Sequence, residues 1–461
     1  MDICQWGSTE AIGPLDGRYR EAAWPLATYF SEGALIRFRL HVEVEWLVEQ
    51  STRAGLPGVP DLREEEVSSL RSLVTQFDHQ AAARVKEIER DTHHDVKAVE
   101  YFLQERVRGL GLGDLQPFIH FGCTSEDINN LAYGILLRGG LDEVWKPAAA
   151  ELVQQVAAQA KATRDVPLLA RTHGQPASPT TVGKELAVYV ARWQRQLMRL
   201  SNIEFLGKFN GASGTFGAHV VAYPEAAWGE ISREFVQRLG LAWSPLTTQI
   251  EAHDYIAELM QAVARFNTIL ADFAADMWAY VGAGCFRQRV AAAEVGSSTM
   301  PHKVNPIHFE NAEANVGMSN AILDHLARKL PISRLQRDLT DSSALRNLGV
   351  GFGHSLVALR SATTGVERVE ADEVALRAEL DGHWEVLAEA VQTLLRRHGA
   401  ADGYDRLKRL TRGAAISKAD FRHFVSELDL PDADRQRLLD LTPESYTGLA
   451  AQLVDEHLIS A

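Results

Sequence analysis

Two segments of the chain repeat apolar residues at alternating spacings of three and four over several turns. In the first, Leu186, Val190, Trp193, Leu197 and Leu200 line up; in the second, Ile256, Leu259, Val263, Phe266, Leu270, Phe273 and Met277 do so. Both are heptad-like seams, the signature of long helices packed side by side. No proline interrupts Thr180 to Tyr223 or Leu246 to Met300. A helix of about 30 residues would reach about 45 Å, and it buries a single stripe best in an antiparallel bundle. Period-2 runs of β-branched residues are sparse, so the expected fold is all-α. Ala257, Ala262, Ala264, Ala271, Ala274 and Ala275 flank the second seam. A helix apolar on more than one side is buried on more than one side. Either a large subunit or contact between copies of the chain would achieve that.

A glycine-rich turn at Leu110 to Leu115 ends an N-terminal helical stretch, and shorter, charge-rich amphipathic patterns begin after Gly365. The expected subunit therefore has three domains: residues 1–116, a central long-helix bundle at 117–365, and a C-terminal helical domain at 366–461. At 461 residues the chain is long enough for two or three domains.

Composition narrows the function classes. The net charge of −14 is unsuited to general nucleic-acid binding, which needs a basic surface. No apolar run approaches the ~20 residues that span a bilayer, and no secretory signal is visible at Met1 to Cys4. Cys4, Cys123 and Cys285 are too few and too dispersed for a disulfide framework. A cytoplasmic protein without nucleic-acid or membrane partners is expected.

The most informative stretch is Ser297 to Pro306, Ser-Ser-Thr-Met-Pro-His-Lys-Val-Asn-Pro, which lies between long helical patterns. Its prolines exclude an ordinary helix, and its hydroxyls with His302, Lys303 and Asn305 suit an anionic ligand. Arg171-Thr-His-Gly-Gln-Pro places His173 on an irregular segment, and histidine suits proton transfer near neutrality. His93-His94-Asp95 offers two imidazoles and a carboxylate. On a helix adjacent histidines point apart and no further ligand sits at i+4, so substrate binding is expected there rather than a metal. Thr124-Ser-Glu-Asp reads as a helix cap, and the same N-terminus could hold a carboxylate. Thr247-Thr-Gln precedes the second long helix similarly. Arg334, Arg337, Ser342, Ser343 and Arg346 form either a solvated face or a phosphate clamp. Asp16-Gly-Arg-Tyr is a second candidate anion clamp. Gly211 to Gly217 matches no nucleotide-binding fingerprint, so backbone geometry is its expected role.

The Ser297 loop resembles the signature loop of the fumarase/aspartase superfamily. With Pro14-Leu-Asp-Gly-Arg-Tyr, His94-Asp-Val-Lys, Thr124-Ser-Glu-Asp, Arg171-Thr-His-Gly-Gln-Pro, Thr247-Thr-Gln-Ile-Glu and Arg337-Asp-Leu-Thr-Asp-Ser-Ser, the chain resembles the adenylosuccinate lyase family in its bacterial form, over essentially its full length. The arginine/serine stretch and the N-terminal Arg-Tyr separate that family from fumarase and aspartase, whose substrates carry no phosphate. The resemblance implies β-elimination of fumarate from adenylosuccinate and from the succinylated aminoimidazole carboxamide ribotide, with no metal or organic cofactor. It implies His173 as general acid and Ser297 as base, though residue chemistry alone leaves Ser297 and Ser298 as alternatives. It implies substrate contacts from Arg18, Tyr19, His93, His94, Asp95, Thr124, Ser125, Gln249, Ser298, Lys303, Val304, Asn305, Asn311, Arg337, Ser342, Ser343 and Arg346. It also implies a homotetramer whose sites draw on several subunits. His93 and His308 depart from the asparagine and aspartate of bacterial members. Argininosuccinate lyase, which would need no phosphate clamp, and a catalytically silent scaffold are the competing readings.

Overall fold

A computed structural model describes residues 9–289, 300, 303–400 and 416–458. The described chain is all-α, relieved only by two- and three-residue strands. Among the described residues no helix is long and apolar enough to cross a membrane. The chain divides into two compact units: Met1–Ala149 with Gln196–Thr268 and Ala314–Ala358, and Ala150–Arg195 with Ile269–Glu313 and Leu359–Ala461.

Both expected long helices form. The second runs Asp254–Gly282, 29 residues, and all seven of its seam residues are buried. The first, Val182–Leu200, is shorter than expected at 19 residues. At its end the Ser201 amide still bonds to the Leu197 carbonyl at 3.0 Å, and the Asn202 amide then closes a tighter turn on the Arg199 carbonyl at 3.1 Å. Of the flanking alanines, Ala257, Ala262, Ala264 and Ala274 are buried within one chain. Only Ala275 is exposed, and Ala271 is partly so.

In the first unit, the helices Glu32–Thr52, Glu64–Thr75, His79–Thr92 and Asp95–Gly109 enclose a core that includes Leu40, Val44, Leu70, Val99 and Phe102. Ser31 caps the first of them by accepting from the Ala34 amide at 3.1 Å. That helix is buried around most of its circumference and takes Arg39, Glu43, Glu49 and Gln50 inside with it. The Ser125–Gly140 helix starts in a capping box formed by Thr124 and Asp127. At its far end a Cβ on Gly140 would lie 2.6 Å from the Phe30 ring, so only glycine lets the Ala27–Phe30 turn pack there.

In the second unit, two short antiparallel ladders flank the start of the Val182–Leu200 helix. Pro167–Leu168 pairs with Thr180–Thr181, and Arg171–Thr172 pairs with Gln175–Pro176. Phe286–Gln288 pairs with Val369–Ala371. Leu380, Trp384, Leu387, Val391, Phe421 and Val425 belong to a separate core toward the C-terminus.

Candidate active site

The register Thr172↔Gln175 leaves His173 and Gly174 as a two-residue hairpin loop. Their φ angles are 53° and 73°, the pattern of a type I′ turn, which needs positive φ at both central positions. His173 is therefore presented at an exposed tip. A non-glycine residue there costs about 1–2 kcal/mol. The ladder is held in place by an Arg171–Glu379 ion pair.

In the same unit, the Lys303 amide bonds to the Met300 carbonyl at 3.0 Å, and Gln288 Nε2 donates to the Val304 carbonyl at 2.9 Å. Lys303 and Val304 are exposed and Asn305 is partly buried. Asn311 Nδ2 donates to Ser361 Oγ at 3.1 Å, and Ser361 donates to the His308 carbonyl at 2.9 Å. Asn311 is thus fixed against the Leu348–Glu367 helix. Ser297, Ser298 and His302 lie outside the described residues.

The first unit holds the other candidates, and it joins several of them. His93 and His94 do not share a helix, as the sequence suggested. His93 (φ 53°) ends the His79–Thr92 helix and His94 begins the Asp95–Gly109 helix. His94 Nδ1 accepts from the Lys97 amide at 3.1 Å. That bond uses Nδ1 as an acceptor and fixes the ring against the start of the Asp95–Gly109 helix. Asp95 Oδ2 receives Arg39 Nη2 and Arg346 Nη2, each at 2.9 Å. Burial raises the Asp95 pKa, but Arg39, the Val96 amide and Arg346 together outweigh it and hold the carboxyl below its usual value. Arg346 Nη1 also reaches Glu32 at 2.6 Å.

Arg337 sits a short way along the same web. Its Nη2 donates to Glu126 Oε1 at 2.9 Å and its Nη1 to Gln249 Oε1 at 3.3 Å. Gln249 Nε2 in turn donates to the Ala212 carbonyl at 3.0 Å. Thr124 and Ser125 stand at the start of the helix that carries Glu126. Ser342 is partly buried and its amide bonds to Asp341 Oδ1 at 2.7 Å, while Ser343 is exposed. Tyr19 packs back on its own segment through its amide and the Pro14 carbonyl at 2.8 Å, and Arg18 is exposed.

Beneath this surface lies a pair that sequence reading missed. Lys208 and Asp127, with fully buried side chains, meet at 2.9 Å. Lys208 Nζ also donates to the carbonyls of Gly211 at 3.0 Å and Gln249 at 2.7 Å. Asp127 accepts from the amides of Thr124, Asn210 and Gly211. The pair therefore joins the Thr124 cap, the glycine-rich turn and the Gln249 segment. Gly211 and Gly214 both have positive φ, which supports the backbone role expected of that turn. Arg39, Glu126 and Asn129 were likewise missed. Glu126 was visible only as a capping acid, and nothing about a lysine among apolar neighbours marked Lys208.

A Lyase family model matches residues 17–321, and a model of the adenylosuccinate lyase C-terminal region matches 333–447. Two solved structures share the fold. One is 3-carboxy-cis,cis-muconate lactonizing enzyme from Pseudomonas putida, with TM-score 0.75 and 22% identity, covering 94% of this chain and 96% of that one. The other is fumarate lyase from Mesorhizobium sp. BNC1, with TM-score 0.76 and 21% identity, covering 94% and 97%. Fold and matched family together define a lyase of the fumarase/aspartase superfamily. Among curated proteins, adenylosuccinate lyase of Escherichia coli (strain K12) is 50% identical over 97% of this chain and 99% of its own length. Adenylosuccinate lyase of Haemophilus influenzae is 50% identical over 98% and 99%. The chain belongs to the adenylosuccinate lyase family.

Proposed function

We propose that this protein eliminates fumarate from adenylosuccinate to leave AMP, and performs the same elimination on the succinylated aminoimidazole carboxamide ribotide of purine synthesis. The observation that carries the proposal is 50% identity to adenylosuccinate lyases across nearly the whole of both chains. The geometry fits it. A nucleotide monophosphate needs guanidinium donors, and Arg337 and Arg346 are both tied into one hydrogen-bonded web in the first unit.

In the proposed mechanism a base removes the proton beside a succinyl carboxylate, and the electrons spread into an aci-carboxylate. The C–N bond then breaks as an acid protonates the departing nitrogen. Ser297 is the base and His173 the acid. Lys303 and Asn305, with Thr124 and Ser125, hold the succinyl carboxylates, where fixed cations and amide dipoles stabilise the developing charge. Ser298, Val304 and Asn311 also contact substrate. Gln249 contacts the base or succinyl region. Arg18, Tyr19, Arg337, Ser342 and Arg346 receive the nucleotide end. His94, with Asp95 or a neighbouring acid to orient an imidazole, positions substrate near its phosphate or the acid, and His93 and Ser343 also contact substrate. The reaction uses no metal or organic cofactor. The working form is a cytoplasmic homotetramer of three-domain subunits whose sites are shared between chains. Exposure of His173 at a hairpin tip supports the sharing, because an acid catalyst works best with water excluded.

Adding adenylosuccinate to the purified protein, with and without a chelator, tests the reading. Equimolar AMP and fumarate, unaffected by chelation, is the expected result. Folded protein that releases neither would overturn it.

A further inference from the structure

We infer that Arg39 is a positioning residue that ties the two nucleotide-end arginines, Arg337 and Arg346, to a single buried cation; this rests on the function proposed above. Arg39 lies inside the Glu32–Thr52 helix with a side chain 2% exposed. Its guanidinium bonds in two directions. Nη2 meets Asp95 Oδ2 at 2.9 Å, and the same oxygen receives Arg346 Nη2 at 2.9 Å. Nε donates to Asn129 Oδ1 at 2.7 Å. Asn129 Nδ2 passes the link on to Glu126 Oε1 at 2.8 Å, and that oxygen receives Arg337 Nη2 at 2.9 Å.

The orientation of the Asn129 amide follows from its partners. Arginine offers only donors and a carboxylate only acceptors, so the oxygen must face Arg39 and the nitrogen Glu126. Each arm therefore ends in a single carboxylate oxygen shared between a fixed donor and a substrate-facing arginine. A planar, permanently charged fork can hold both arms at fixed angles, which a lysine ammonium cannot.

Phosphate arriving at either arginine competes with the carboxylate that holds it. Release of Asp95 or Glu126 alters what Arg39 must hold on the other arm, so occupancy of one arginine is felt at the other. Residues within one hydrogen-bond network are non-additive when mutated together, and charged networks strongly so.

The test is a double-mutant cycle on AMP affinity, measured by calorimetry with Arg337→Lys, Arg346→Lys and the double variant. In the otherwise wild-type protein the cycle should be non-additive by about threefold or more. In an Asn129→Leu background, which cuts the Glu126 arm alone, the two substitutions should become additive. Asn129→Asp keeps an acceptor for Arg39 and removes the donor to Glu126. It should behave alike, and it serves if the leucine disturbs folding. A conserved fold that merely loses stability would leave the coupling intact. Additive arginines in the wild-type background, or coupling that survives both Asn129 changes, would overturn the role. Adenylosuccinate cleavage by the wild type, assayed in parallel, separates this result from failure of the proposed function.

Discussion

At His173 the backbone bears a cost that glycine would avoid. With φ at 53°, the residue pays about 1–2 kcal/mol against the steric preference of an L-side chain. That makes a sharp expectation about its replacement. His173→Gly should cut kcat by about 10²–10⁴, the usual contribution of a positioned general acid. It should leave the thermal midpoint unchanged or raise it, because the turn is relieved. A variant that loses activity by melting earlier would point to a structural histidine instead. His120 makes a contrasting case, with Nδ1 2.6 Å from the buried carboxylate of Glu43. Burial pushes its pKa down, but the carboxylates of Glu43 and Glu100 together outweigh burial, and the pKa is raised. Stability from this pairing is therefore complete below the unfolded value of about 6.5 and is lost as pH rises through the folded value. Urea midpoints of the wild type should fall above about pH 6.5 more steeply than those of His120→Gln. Parallel curves would show that the pair contributes no pH dependence.

The helices differ in how openly the sequence displays them. Asp254–Gly282 announces itself because one seam is continuously apolar and no proline intrudes. Glu32–Thr52 shows no clean stripe, since it is buried on most sides and takes charged groups inside. Periodicity reads only a helix with one wet face. The same physics divides the site. The irregular segment that presents His173 was legible because Gly174 and Pro176 mark it. Arg39 and Lys208 were not, because a buried cation looks like any other charge until its partners are known. Lys208 ties three segments that sequence places far apart: the Thr124 cap, the Gly211 turn and the Gln249 carbonyl. Removing one member of a buried pair strands the other, at about 3–5 kcal/mol. Lys208→Met should lower the denaturation free energy by that order and raise KM for adenylosuccinate through Gln249. A loss below about 1 kcal/mol, read from denaturant titration, would show that the backbone amides around Asp127 suffice without the lysine.

For the molecule as a whole, the decisive matter is where a complete site is assembled. One chain leaves His173 at an exposed tip and Lys303 exposed on its own segment. General acid catalysis is weak in open water, and fixed charges act strongly only where water is excluded. A further copy of the chain supplies the missing wall in the proposed tetramer, and then no single subunit owns both catalytic residues of one site. His173→Ala and Ser297→Ala should each be nearly inactive, with turnover reduced about 10²–10⁴-fold. Mixed and allowed to exchange subunits, the two should recover activity, because some hybrid sites receive the intact histidine from one variant and the intact serine from the other. Recovery should track the extent of exchange, followed with differently labelled subunits, and should vanish when exchange is blocked by cross-linking before mixing. If subunits exchange fully and activity stays at the level of the separate variants, each chain must carry both groups in its own site, and the shared-site arrangement fails while the elimination chemistry stands.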